Sequence, residues 1–161
     1  MTAPLARKRG AVAVEFALTL PLLLILLFGI VEFGVMMYDQ AVITNAAREG
    51  ARWGAVQSAL LVPQPVNCSA TGLSTLMGSG CTGTGTASSA CQVASNYSTN
   101  YLITFGSSAT PSITVNCITP SNGTTAASAL QVQVNYSYSG LGFLGLMAAH
   151  GLSSTAVMYL E

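Results

Sequence analysis

The residues best placed to do chemistry lie at the start of the chain. A basic cluster, Arg7, Lys8 and Arg9, runs into Gly10-Ala11-Val12-Ala13-Val14-Glu15-Phe16, and an unbroken apolar run follows to Val31. A secretory signal places its small-residue cleavage site after the apolar core. Here the small residue, Gly10, stands before the core, at the border between the charges and the apolar segment. Peptide-bond cleavage after Gly10 would leave a chain that opens directly on the apolar helix. Ala11 would then carry a new ammonium, and Glu15 would stand at the fifth position. A charge at a helix centre in a bilayer costs about 2.5–3.5 kcal/mol, so Glu15 calls for a partner. The other chemically capable group is the set of four cysteines, Cys68, Cys81, Cys91 and Cys117.

The elements that must position these residues follow from composition. Half of the 161 residues are hydrophobic and only 6% are charged, against roughly 25% in soluble globular domains. No formal charge occurs from Trp53 to Leu160. No basic patch exists to neutralise a phosphate backbone, which excludes nucleic-acid binding. Ala11 to Val31 is about 30 Å of helix, enough to span a bilayer. The basic residues before it and Glu32 and Asp39 after it put the N-terminus in the cytoplasm and the remainder outside. An even number of cysteines in an exported domain predicts two disulfides, with neighbour pairing, Cys68–Cys81 and Cys91–Cys117, as the first expectation among three connectivities. Their spacing does not suit zinc, and the chain has one histidine, so neither a metal nor a cofactor is expected.

Good helix formers continue from Ala11 to about Leu61, where Pro63 and Pro65 stop the helix. Pro21 interrupts it inside the span, where a kink is tolerable. In the second half, Ile43, Ala47, Gly50 and Gly54 share one narrow face, with Asn45, Arg48, Glu49 and Arg52 roughly opposite. A face of small residues admits a close backbone, either a sheet of the same chain or a neighbouring helix in a filament. Glu49 and Arg52, three apart, can pair on the surface. Residues 63–87 read as a long Gly/Ser/Thr-rich loop. A short helix over Ala87–Tyr101 carries Cys91. Strands are predicted at Ile113–Val115, at Leu130–Tyr138 from its apolar–polar alternation, and at Thr155–Leu160. The apolar, glycine-punctuated stretch Gly140–Gly151 is expected as a connection folded onto the core, the alternative being an exposed apolar tip touching the membrane surface or an adjacent subunit, with His150 as a polar residue at its end. The sum is an α+β fold: a leader (1–10), a membrane-spanning helix (11–31), its exported continuation (32–61) and a small disulfide-stapled domain (62–161) with a three-stranded antiparallel sheet. No acid lies between Trp53 and Leu160, and the serines lack a nucleophile elbow, so an enzyme is not expected.

The segment Gly10–Leu18, with Leu20-Pro21-Leu22-Leu23-Leu24, Gly29-Ile30-Val31-Glu32-Phe33-Gly34 and Thr44-Asn45-Ala46-Ala47-Arg48-Glu49-Gly50-Ala51-Arg52, resembles the TadE-like family, the minor pilins or pseudopilins of tight-adherence (Tad/Flp) pilus systems. The resemblance is dense over residues 7–55. It implies a prepilin-type signal cut by a membrane prepilin peptidase between Gly10 and Ala11, and an assembly role for Glu15 beside Phe16, where many major Flp pilins have tyrosine. It further implies an inner-membrane precursor, single-pass, whose partners are other minor and major Flp-type pilins, inner-membrane Tad assembly proteins and membrane lipid. The alternatives are a pseudopilin-like part of a secretion apparatus and an uncleaved, membrane-anchored binding module.

Overall fold

Helix α1 runs without a break from Ala6 to Leu61 in the computed structural model of the chain. Residues 6–62, 66, 68–70, 72–78, 81, 84–105, 110–119, 128–140 and 150–160 are described. Alanine, leucine and other good helix formers dominate α1, and Pro21 sits inside it. The chain divides into two compact units, Met1–Val35 and Met36–Glu161. The first is a single apolar helical stretch, and no part of its most apolar window is covered by protein. Phe16, Leu18, Leu22, Leu23 and Ile30 all face outward. Apolar surface of this extent is unfavourable in water, and its length matches a bilayer. One long apolar N-terminal helix of this kind fits a single-pass membrane anchor.

The second unit holds the rest of α1 with α2 (Leu73–Met77), α3 (Ala90–Tyr101), β1 (Ser112–Ile118), β2 (Ala129–Tyr138) and β3 (His150–Tyr159). The strands form one antiparallel sheet in the order β1-β2-β3. Val132 stands opposite Val115 on one side and Ala156 on the other. The alternation of β2 sets the core. Leu130, Val132, Val134, Tyr136 and Tyr138 share one face and are buried. Gln131, Gln133, Asn135 and Ser137 share the opposite face with Thr114 and Asn116 of β1 and Thr155 of β3, and all of these are at least partly exposed. That outer face carries amides and hydroxyls where a soluble domain commonly displays charges.

The small-residue face of α1 meets this core. Ile43, Ala46, Ala47 and Ala51 are fully buried. A Cβ at Gly50 would lie 2.8 Å from the Ala90 carbonyl oxygen and 3.0 Å from the Ala94 Cβ, and one at Gly54 would overlap the Leu130 side chain. The close backbone is therefore that of α3, with β2 beside it, within the same chain. Ser89 caps α3, its hydroxyl accepting from the Gln92 N–H at 3.2 Å, and Ala90, Cys91, Ala94, Ser95 and Ser98 form its buried stripe.

Several expectations change. The loop expected over 63–87 contains α2, and α3 begins at Ala90 rather than Ala87. Strand β3 starts at His150, not Thr155, so His150 and Gly151 are paired strand residues opposite Tyr138 and Ser137. The polar run Ser153-Ser154-Thr155 masks its alternation. The remainder of the connection, 141–149, lies outside the described residues.

Candidate functional site

Gly10, Ala11, Glu15 and Phe16 follow one another on α1 in the first unit, and all four are exposed. Thr19 steadies this turn by donating from its hydroxyl to the carbonyl oxygens of Glu15 at 3.1 Å and Phe16 at 3.2 Å. The only ion pair among the described residues is Arg52–Glu49, so the Glu15 carboxylate projects from the apolar helix without a counter-charge from them. Local sequence dictates this: the five residues on either side of Glu15 contain no basic group, and the nearest ones, Arg9 and Lys8, precede Gly10.

The four cysteines form two disulfides, Cys68–Cys117 and Cys81–Cys91, with Cα separations of 5.4 and 6.0 Å. The expectation of two bridges stands, and the neighbour pairing Cys68–Cys81 and Cys91–Cys117 is wrong. Gly78 is the reason. Its φ of 69° lies in the left-handed region, and a Cβ there would collide with Ser89 and press on Cys91. Only glycine lets the chain leave α2 in this way, with Gly78 packed against Ser89 and Cys91 at the start of α3, where Cys91 bonds Cys81. Cys68, on the other side of α2, is left for Cys117 on β1.

The part of α1 in the second unit holds a residue whose importance the charge pattern did not reveal. Asp39 reads in sequence as a flanking acid, yet it is fully buried. Its Oδ1 accepts from the Ile103 backbone N–H at 3.0 Å, just past the end of α3, and its Oδ2 has no hydrogen-bond partner among the described residues. Gln40 beside it donates from Nε2 to the Ser153 carbonyl oxygen on β3 at 3.1 Å. Together they tie α1 to both sides of the domain. The available signal was spacing: Asp39 precedes Ile43 by four residues and so falls on the buried face.

Desolvation raises the Asp39 pKa above its ordinary 3.8, and the hydrogen bond from Ile103 opposes that rise in part. The folded state thus holds its proton to higher pH than the unfolded chain. Stability contributed here is greatest below about pH 4 and declines as pH rises through the elevated value. Asp39→Asn should remove this decline while keeping an acceptor for Ile103. Denaturant titrations of the full chain in detergent, followed by the fluorescence of its single tryptophan, Trp53, would check it. The variant should match the parent near pH 3 and exceed it at pH 7, and a constant difference across that range would refute the assignment.

Asn96 shows the same kind of engagement at the surface. It accepts from the Gly85 N–H at 2.8 Å, donates to the Gly85 carbonyl at 2.7 Å and accepts from Gln92 Nε2 at 3.0 Å. Among the described residues, no cluster of three or more His, Cys, Asp or Glu side chains could hold a metal ion.

Comparison with known proteins adds one finding. The family model described as TadE-like protein matches residues 10–52. The matched stretch begins at Gly10, takes in Glu15 and the small-residue face of α1 as far as Arg52, and stops before Gly54, the cysteines and the sheet. No curated protein and no solved structure matches the chain.

Proposed function

We propose that this chain is a minor pilin or pseudopilin of a tight-adherence (Tad/Flp) pilus, cut between Gly10 and Ala11 by a prepilin peptidase. In this reading residues 11–31 hold it in the bacterial inner membrane with the N-terminus cytoplasmic, the second unit lies outside, and the mature protein takes part in initiating or assembling the pilus. Its partners are the peptidase, other minor and major Flp-type pilins, inner-membrane assembly proteins and lipid. The similarity to TadE-like proteins over residues 10–52 supports the assignment.

One observation carries it further: an apolar helix without protein cover bears a lone carboxylate five residues after a glycine that follows a basic cluster. Cleavage at Gly10 creates the missing cation, the Ala11 ammonium. The amine of one subunit and Glu15 of the next, buried together, offset each other's desolvation and fix the axial register. Phe16 beside them adds an apolar contact to lipid or a neighbouring helix.

Two measurements on material from the native host test this. Intact mass spectrometry of the membrane-extracted protein should give a chain beginning at Ala11, and one still beginning at Met1 would return it to a plain anchored module. Glu15→Ala should be cleaved normally yet fall more than about tenfold in sheared pilus fractions, because breaking a buried charge pair is costly. Normal incorporation of that variant would remove the role given to the carboxylate.

A further inference from the structure

The outer face of the sheet is hollowed at one end, where β2 runs on past the first residue of β1. The recess there has a volume of about 390 Å³ and is open at the surface. Thr110, Ser112, Ser137 and Ser153 bring four hydroxyls to it and Asn135 an amide. Tyr136 and Leu152, whose side chains belong to the inner face, complete the lining with Gly151. Ser112, Asn135 and Ser153 stand side by side across the three strands, and Gly151 pairs with Ser137. Gly151 is what opens the recess. Glycine inside a strand weakens it, and its usual uses are an unusual backbone angle or the close approach of another group. The positive-φ glycines among the described residues are Gly72 and Gly78, and a Cβ at Gly151 would meet nothing within 4 Å. Neither backbone angle nor packing therefore calls for glycine here, and its effect is to leave the floor bare.

We infer that this recess binds one sugar unit of a neutral glycan chain. No lining residue is charged, so a carboxylate or phosphate would lose water there without gaining a counter-charge. A wholly apolar ligand would cover the hydroxyls without replacing their bonds to water. A polyol replaces them, because each sugar hydroxyl donates and accepts as each serine does. Asn135 adds a directed donor: its Oδ1 accepts from Gln133 Nε2 at 3.4 Å, which leaves Nδ2 for a ligand. The bare backbone at Gly151 lets the C–H face of a sugar ring lie directly on the sheet.

The rows beside the recess extend the same chemistry. Thr114, Gln133 and Thr155 form the next row across the strands, and Asn116 and Gln131 belong to the one after it. Successive rows on one face are about 7 Å apart, close to the length of a pyranose unit, so a chain seated in the recess meets a fresh amide or hydroxyl at each step. A protein partner suits the recess less well, because interface cores favour aromatic, Met and Arg side chains and are poor in serine. The inference is independent of the pilus reading, since it uses the second unit alone.

Nuclear magnetic resonance of the labelled full-length chain, in a zwitterionic detergent without a sugar head group, tests this. The probes are hexasaccharides of glucose, mannose, galactose and N-acetylglucosamine at millimolar concentration. At least one should shift the Gly151 backbone amide and the Asn135 side-chain amide saturably. The matching single sugar should bind about tenfold or more weakly, having lost the bonds along the neighbouring rows. Gly151→Leu fills the recess without a clash and should lower affinity by about tenfold or more, and Asn135→Ala should also weaken it. Both variants should keep the parent's disulfides and Tm, and Ala41→Leu, at an exposed position on α1, should bind as the parent does. No saturable shift at the recess with any of the four, or unchanged affinity in Gly151→Leu, would overturn the inference. Tighter binding of an acidic hexasaccharide would overturn the neutral ligand, and equal affinity for the single sugar would overturn the chain. Recess shifts that follow protein concentration instead of sugar would mark contact between copies and overturn it as well.

Discussion

Replacing Cys68 and Cys117 together by alanine should lower the stability of the second unit by about 4 kcal/mol, and replacing Cys81 and Cys91 together by about 3 kcal/mol. The difference comes from the unfolded chain. The first bridge closes a sequence separation of 49 residues and the second one of 10, and the entropy a crosslink removes grows with the logarithm of the loop. Small domains hold only about 5–15 kcal/mol in total, so the first double variant should fail to accumulate at 37 °C. Using both alanines avoids a leftover thiol that could pair wrongly. Denaturant midpoints followed by Trp53 fluorescence check the order, and an equal or reversed loss would refute the loop-length account. Peptide mapping of the unreduced protein gives a direct reading, since a Cys68–Cys81 peptide would contradict the bridges described above.

Gly50→Val should cost about 3 kcal/mol, the upper end of what overpacking costs in a tight interior. The reason is local and steric. Even a Cβ at this position meets the Ala90 carbonyl oxygen at 2.8 Å, and that oxygen belongs to the α3 backbone, which cannot swing aside as a side chain would. Valine adds two methyl groups to the collision. Better helix propensity than glycine returns less than about 1 kcal/mol. Valine at exposed Ala41 serves as the control and should change stability by no more than about 0.5 kcal/mol. If Gly50→Val proved as mild as the control, α1 and α3 would not touch there.

Some of this was legible in sequence for clear physical reasons. Nine alternating residues in β2 can bury only one face, and the observed core is that face. The spacing of Ile43, Ala47, Gly50 and Gly54 identified the contact surface of α1, and the sheet of the same chain expected against it is there in β2, while the intramolecular approach of α3 was not foreseen. The Glu49–Arg52 pair was equally readable, because both partners lie on one helix. What escaped depended on distant parts of the chain. The disulfide pairing turns on the direction the backbone takes at Gly78, which composition does not encode. Asp39 was hidden by its type: a carboxylate is ordinarily a surface group, and only its helical phase placed it inside. At the proposed processing site the sequence carries almost all the information, since Gly10, Ala11, Glu15 and Phe16 lie along one helix with no tertiary surroundings in the described structure.

The amides and hydroxyls of the outer sheet face have an environmental consequence. Neutral dipoles neither gather a counter-ion cloud nor change protonation state across the range in which carboxylates and ammonium groups do. Gln131, Gln133, Asn135, Thr114 and Thr155 will therefore keep the same wetting in fresh water and in brine, in acidic soil and in alkaline seepage. If the proposed function holds and this unit stands outside the cell, it gains from such indifference: its coat of bound water is set by geometry alone and does not follow the weather.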